Sequence, residues 1–338
     1  MHVTVVLGAG FSKQAGSPLA HELFDQRPPV HRKWVSEIVL PVSNAWERWK
    51  SDRVAKGVLK AQGEEFLADL YRRNLEEWPV VPSWAKVVKF IGLRLAWEHA
   101  DRGASPYDGR PWGDDITSAR TCSTHEAFWN ALFKTIPRDA ETCVITTNYD
   151  IWAERGLRLT PRPRLLRPGF HYGIPGEQLL GYTSFPRRTT SSPRLIGSVP
   201  LLKLHGSLTW EIESGERLSH VNCGPAFRGT AAIVPPLVKN EKPSWLSDIW
   251  ELAAAELRRT THLLVAGYSL PVYDSEVRSL LSSNLSPQVC RRAYYIAGNS
   301  EERAASLRKL VPGLDVNPLG SFPECILGIK DRLQVDSA

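Results

Sequence analysis

The sequence predicts an α/β protein: a mostly parallel sheet with helices on both faces, and a helical insertion after the first strand–helix unit. Three observations predict it. Short apolar runs rich in β-branched residues alternate with segments of helical periodicity. The runs are apolar throughout rather than at every second residue, as strands covered on both faces require. Each run also stops at a small or polar group, where a sheet of this kind places its ligands.

The elements follow in order. "HVTVVL" (2–7) is a buried strand that ends in the turn Gly-Ala-Gly-Phe-Ser. "SPLAHELF" (17–24) reads as a helix start, with Ser17 as cap and Pro18 in the first turn. Residues 30–100 look mainly helical; "EEFLADLYRRNLEEW" places Phe66, Leu67, Leu70, Tyr71, Leu75 and Trp78 near helical spacing. Residues 101–120 form a Gly/Pro/Asp-rich loop, and "HEAFWNALFKTI" (125–136) returns to helix. "TCVITTNYD" (142–150) is a strand. Residues 155–200 are a Pro-, Arg- and Ser-rich excursion within the core, with "SFPRRTTSSPR" (184–194) its most exposed-looking part. "VPLLKLHGSLTW" (199–210) is a strand that breaks at His-Gly, and "AAIVPP" (231–236) is a short strand stopped by two prolines. Then come a helix (246–260), a strand (261–270), a helix (272–285), a strand (292–300) and a helix (301–311). The domain reading is a core of residues 1–27 and 121–338, with residues 28–120 as the helical insertion.

Composition narrows the function classes. Among 338 residues, Lys plus Arg number 42 and Asp plus Glu 36, a net charge of +6. That mild surplus suits an anionic ligand. The Arg residues are scattered, which argues against direct nucleic-acid binding. No stretch approaches the ~20 apolar residues of a membrane helix. The start has neither the basic region nor the apolar length of a signal peptide, so the expected compartment is the cytoplasm. None of the five cysteines forms a CxxC pair, so no structural zinc is expected. The twelve tryptophans read chiefly as helix packing.

Five strand ends carry the candidate chemistry: Gly8–Ser12, Thr146–Asp150, Leu204–Ser207, Gly267–Leu270 and Gly298–Ser300. Gly8 and Gly10 permit a tight turn close to a phosphate. The third glycine of a dehydrogenase fingerprint is absent, because its position holds Lys13. His205 follows an apolar run and can act as a base or orient water. Asn148 offers an amide donor and an acceptor for a hydroxyl or a water. Asp150 can hold a carboxamide or ribose group, or cap the helix that follows.

Gly-Ala-Gly-x-Ser, Thr-x-Asn-x-Asp, His-Gly, Gly-x-Ser-Leu and a late strand ending in Asn, in that order over residues 3–300, resemble the sirtuins. "IVPPLVKN" with Trp245 and Trp250, then "VAGYSLPVYD", is similar to the sirtuin-like domains of bacterial antiviral defence systems. The resemblance implies a Rossmann-like core that takes NAD as substrate. It implies that Gly8, Ala9, Gly10, Ser12 and Thr147 contact the dinucleotide. Gly267 and Ser269 would meet its phosphate and ribose side, and Asn299 the adenosine ribose. Asn148, Asp150 and His205 would be the catalytic residues. Asp274 matches a position typical of the defence branch, without a defined role.

The chain departs from the deacylases of that family. Their zinc module with two CxxC pairs is missing, and so is the Arg of the segment after the glycine turn. Water rather than acyl-lysine is therefore the expected nucleophile, with no metal required. The leading reading is an NAD+ hydrolase that depletes cellular NAD as an antiphage effector, gated by homo-oligomerisation or a defence-system partner. A deacylase or ADP-ribosyltransferase, and a non-catalytic NAD- or ADP-ribose-binding sensor, are the alternatives.

Overall fold

The first strand, β1 (His2–Leu7), is buried along its whole length. Successive side chains of a strand point to opposite faces, so both faces of the sheet are covered there. The computed structural model describes residues 1–28, 34–57, 63–73, 82–99, 122–137, 139–159, 169–173, 198–213, 217–220, 229–236, 243–322, 324–326 and 328–329.

After β1 comes the short α1 (Ala9–Lys13), then a 3-10 turn at Ala20–Glu22. A π-helical stretch, Val35–Val39, leads into α2 (Leu40–Ala55), followed by α3 (Gly63–Arg73), α4 (Trp84–His99) and α5 (Ser123–Thr135). The core resumes with β2 (Glu141–Thr146), α6 (Trp152–Leu159), β3 (Gly169–His171) and β4 (Ser198–Lys203). Then come β5 (Gly206–Glu213), β6 (Arg217–His220), β7 (Ala231–Ile233) and α7 (Ser244–Arg259). Last are β8 (His262–Ala266), α8 (Ser275–Asn284), β9 (Arg292–Ile296), α9 (Ser300–Leu310) and β10 (Val316–Pro318).

Seven strands form one parallel sheet in the order β10-β9-β8-β1-β2-β4-β3, a Rossmann-like α/β architecture. From β1 the chain first adds β2, then the edge strand β3, and then β4 between those two. It then returns to β1's other edge with β8 and builds outward through β9 and β10. The direction reverses between β1 and β8, and the crevice at their carboxyl ends is where such sheets bind ligands.

The 199–210 run breaks at His-Gly as expected, but its two halves join different sheets. It divides into β4, in the parallel sheet, and β5, in a separate antiparallel sheet of order β6-β5-β7. The break falls at Leu204-His205. Gly206 adopts φ +79°, and a Cβ there would lie 2.0 Å from the Ala232 carbonyl oxygen. Only glycine allows that approach.

The 17–24 segment forms no α-helix. Ser17 Oγ, the expected cap, accepts instead from Trp152 Nε1 at 3.0 Å, and the Glu22 carboxylate takes up Leu19 N–H and Lys13. Of residues 155–200, α6 ends at Leu159, Gly169–His171 is a strand and β4 begins at Ser198; most of the remainder, including 184–194, lies outside the described residues, as do 101–120 and Cys223.

The insertion helices have their own apolar cluster. Phe24, Trp46, Trp49, Phe66 and Phe90 pack with ring centroids 5.0–5.6 Å apart, a spacing typical of attractive aromatic pairs. Leu208, Ala231 and Ile233 of the small sheet join this cluster. The insertion is thereby fixed to β5 and β7, beside the turn that carries His205.

Candidate active site

A cavity of about 840 Å³ opens at the carboxyl ends of the parallel strands. Its size lies within the roughly 300–1,000 Å³ common for small-molecule sites. All five strand ends reach it. Ala9 and Gly10 line it from the first, Thr147, Asn148 and Asp150 from the second, and His205 from the third. Gly267 and Ser269 line it from the fourth and Asn299 from the fifth. Gly8 and Ser12 stand behind this wall rather than in it.

The glycines are explained by contact between two turns. Gly8 N–H donates to Ala266 O at 3.1 Å, and Gly10 N–H donates to Gly267 O at 2.8 Å. A Cβ on Gly8 would come within 2.5 Å of Tyr268 Cα, and one on Gly10 within 2.8 Å of Gly267 O. Gly267 itself has φ +65°, and a Cβ there would lie 2.1 Å from Phe11 N. The backbone amides of Gly8 and Gly10 thus serve the β1–β8 junction. Phe11 anchors this junction from below: its ring stacks on His125 at 3.9 Å, and His125 Nε2 donates to Phe11 O at 2.7 Å. Burial lowers the His125 pKa to about 4, so the ring is a neutral donor at physiological pH.

Asn148 is held in one orientation. Its Nδ2 donates to Gly8 O and to Ser12 Oγ, both at 2.9 Å. Both amide hydrogens therefore have partners, and Oδ1 remains as the acceptor. Ser12 in turn is hydrogen-bonded to the Asp150 carboxyl. Asp150 Oδ1 also accepts from Trp152 N at 3.1 Å, the helix-capping role. Burial raises the Asp150 pKa, opposed by Lys203, Ser12 and the Trp152 amide. Beneath it, fully buried Lys203 donates to the Asp150 carbonyl and pairs with Glu154 at 2.8 Å. Tyr172 donates to that same Glu154 oxygen at 3.2 Å.

His205 is buried, and its Nε2 lies 3.6 Å from Asp274 Oδ2, with no hydrogen-bond partner. Tyr268 donates to that same Asp274 oxygen at 2.6 Å, while Asp274 Oδ1 accepts from Val277 N at the start of α8. The loop from Gly267 to Asp274 lines the cavity throughout. Within it Leu270 has φ +51°, a left-handed conformation costly for a branched side chain and common where function over-determines the backbone. Arg278 holds Leu270 O at 2.9 Å. At the far end, Asn299 Nδ2 donates to Glu302 at 2.9 Å and Arg303 to Ser269 O at 3.0 Å.

Sequence reasoning missed two groups. Glu64, on insertion helix α3, and Tyr273, beside Asp274, both line the cavity. The Tyr273 hydroxyl is hydrogen-bonded to the Glu64 carboxyl. Burial raises the Glu64 pKa to about 7, with the Asp274 charge adding to it and His205 opposing. No local signal marks Glu64, because acidic residues in a helix's first turn are ordinary. Among the described residues, no cluster of three or more His, Cys, Asp or Glu stands where it could share a metal ion. No described helix is long and apolar enough to cross a membrane.

No family model and no curated protein sequence matches the chain. Among solved structures, it is similar to a Sir2 homologue mutant in complex with 2'-O-acetyl ADP ribose. That match has 18% identity and a TM-score of 0.43, covering 99% of this chain and 92% of that one. A second Sir2 homologue mutant, in complex with ADP ribose, matches at 17% identity and a TM-score of 0.43, covering 100% and 93%. A Sir2 enzyme structure concerned with mechanism and regulation matches at 14% identity and a TM-score of 0.40, covering 100% and 94%.

Proposed function

We propose that this chain is an NAD+ hydrolase that binds NAD in the strand-end cavity and releases nicotinamide and ADP-ribose. The single observation that carries the reading is convergence. Residues from five strand ends, spread along the sequence from Ala9 to Asn299, line one cavity with Asn148 and His205 among them.

The substrate's bond is already activated, because its leaving group is a pyridinium. The protein must hold the ribose, stabilise the oxocarbenium-like carbon as the bond to nitrogen breaks, and present water. Asn148 Oδ1, fixed by the amide's two donor contacts, can accept from a ribose hydroxyl or from that water. His205 orients the water from the opposite chain segment. Asp150 and Ser12 keep Asn148 in place. Positioning and a low-dielectric pocket supply much of the acceleration for such a reaction. Ala9, Gly10, Thr147, Gly267, Ser269 and Asn299 contact the dinucleotide, while Gly8 and Ser12 act from behind.

The motif order supports a further reading, an antiphage effector that depletes NAD. Unchecked NAD cleavage would harm the host, so the activity is gated by self-association or by a partner protein. The test is nicotinamide release from NAD by the full chain without any acyl-peptide, for wild type, His205→Ala and Asn148→Ala, across protein concentrations. Release by wild type alone supports hydrolysis. Release that requires an acyl-peptide would replace the reading with deacylation, and tight NAD binding without turnover in any assembly state would replace it with a sensor.

A further inference from the structure

The insertion does more than border the site, because it places a carboxyl inside it. Glu64 lies in the first turn of α3, and α3 is held by its apolar face. Phe66, Leu67 and Leu70 are buried in the insertion core, and Trp49 Nε1 donates to Asp69 at 2.8 Å. Glu64 and the neighbouring Glu65 both line the cavity, and it is Glu65 that the Arg53 guanidinium engages, at 2.5 Å. Glu64 Oε2 is inaccessible to solvent and has no hydrogen-bond partner. A buried polar atom without a partner is expensive, and the rest of the Glu64 side chain is only partly covered and lines the cavity.

We propose that Glu64 is the general base of the site, its carboxylate taking a proton from the attacking water while His205 and Asn148 orient that water. The inference rests on the hydrolase reading. In the step, the water oxygen bonds to the anomeric carbon of the nicotinamide ribose as the carbon–nitrogen bond breaks. The bond's electron pair goes to the pyridinium nitrogen, giving neutral nicotinamide. One water proton passes to the Glu64 carboxylate, and the product is ADP-ribose. No further co-reactant is needed.

The surroundings suit that role. Tyr273 hydrogen-bonds the carboxyl and fixes it. The titratable groups that face it are Asp274 and Tyr273 on the loop before α8, His205 on the β4–β5 turn, Tyr149 after β2, and Glu65 on its own helix. The negative charge of Asp274 and the burial of Glu64 hold its affinity for a proton near neutrality, where a general base works best.

The experiment is nicotinamide release by wild type, Glu64→Gln, Glu64→Asp and Tyr273→Phe over about pH 5 to 9, with NAD affinity measured separately. A general base contributes about 10²- to 10⁴-fold. Glu64→Gln should therefore lose at least about 100-fold in kcat, keep NAD affinity within about threefold, and lose the acid limb of the pH profile. Glu64→Asp should keep that limb at reduced rate, and Tyr273→Phe should move it. A Glu64→Gln enzyme with near wild-type rate and an unchanged acid limb overturns the assignment and leaves the hydrolase reading intact. A wild type that releases no nicotinamide overturns both. Should Glu64→Gln fail to fold, a Glu64→Asp enzyme at wild-type rate together with an unmoved limb in Tyr273→Phe overturns the assignment.

Discussion

His205 Nε2 and Asp274 Oδ2 stand 3.6 Å apart, beyond hydrogen-bond reach but within ion-pair range. Tyr268 holds that same carboxylate oxygen at 2.6 Å, so the separation is set by a third side chain. The pair becomes an ion pair when the imidazole is protonated. At about 4 Å the attraction between unit charges is on the order of 4 kcal/mol in partly screened surroundings. Asp274→Asn removes the charge and keeps a good N-cap for α8. We expect NAD cleavage to slow by about 10- to 100-fold with little change in melting temperature. An unchanged rate would remove Asp274 from the site's electrostatics.

The Ser12 hydroxyl bridges Asn148 and Asp150 without lining the cavity. Ser12→Ala leaves an amide hydrogen of Asn148 without its partner and removes a donor from a buried carboxyl. The cost is about 1–3 kcal/mol in stability. Activity should fall further than stability accounts for, because Asn148 loses its fixed orientation. Kinetics on the folded fraction check this: a variant that is destabilised but catalytically normal would make Ser12 purely structural.

Much of the scaffold was legible from local pattern. The runs at 2–7, 142–146, 262–266 and 292–296 are apolar and β-rich, and each forms a strand of the parallel sheet. The polar residues that end them reach one cavity because parallel strands share a carboxyl edge. What escaped the sequence depends on tertiary partners. The 199–210 run divides between two sheets because Gly206 meets the Ala232 carbonyl, which no periodicity reveals. The 17–24 helix fails because Ser17 and Glu22 are engaged by Trp152, Lys13 and the Leu19 amide. Glu64 sits in a helix whose apolar spacing marks only its core face, and the packing of α3 brings Glu64 to the cavity.

Gly267 is the least replaceable glycine of the junction. Alanine there would combine a positive φ with a Cβ 2.1 Å from Phe11 N. The left-handed conformation alone costs a non-glycine residue about 1–3 kcal/mol. The backbone clash cannot be relieved by rotating a side chain. Gly267→Ala should destabilise more than Gly57→Ala, where φ is +81° but nothing lies within 4 Å. Denaturant midpoints compare the two; equal losses would mean that the β1–β8 contact yields freely.

Lys203 and Glu154 form a pair with side chains only 1% exposed, directly under the Asp150 loop. Lys203→Met leaves the Glu154 carboxylate without its cation and removes the donor to Asp150 O. Breaking one partner of a buried pair costs about 3–5 kcal/mol. Adding Glu154→Leu should recover much of that loss, because the uncompensated charge goes with it. Urea unfolding of the two variants decides; a double variant no more stable than Lys203→Met would show that the loss lies in the Asp150 contact instead.

A half-buried carboxyl and a buried imidazole oppose each other in the dependence of stability on pH. Burial raises Glu64 to about 7 from 4.5, so the native state binds that proton more tightly than the unfolded chain. Its contribution is present below the unfolded value and is lost as pH rises toward 7. Burial lowers His125 to about 4 from 6.5, so the native state binds that proton less tightly. Its contribution is present above the unfolded value and is lost as pH falls toward 4. Between about pH 4.5 and 6.5 the two slopes have opposite sign and largely cancel. Glu64→Gln removes one of them. Its stability relative to wild type should grow by up to about 2–3 kcal/mol between about pH 5 and 8, and its own stability should rise with pH below about 6.5. Melting temperatures of both proteins across that range test the sign: a constant difference between them would mean that Glu64 titrates alike in the folded and unfolded chain.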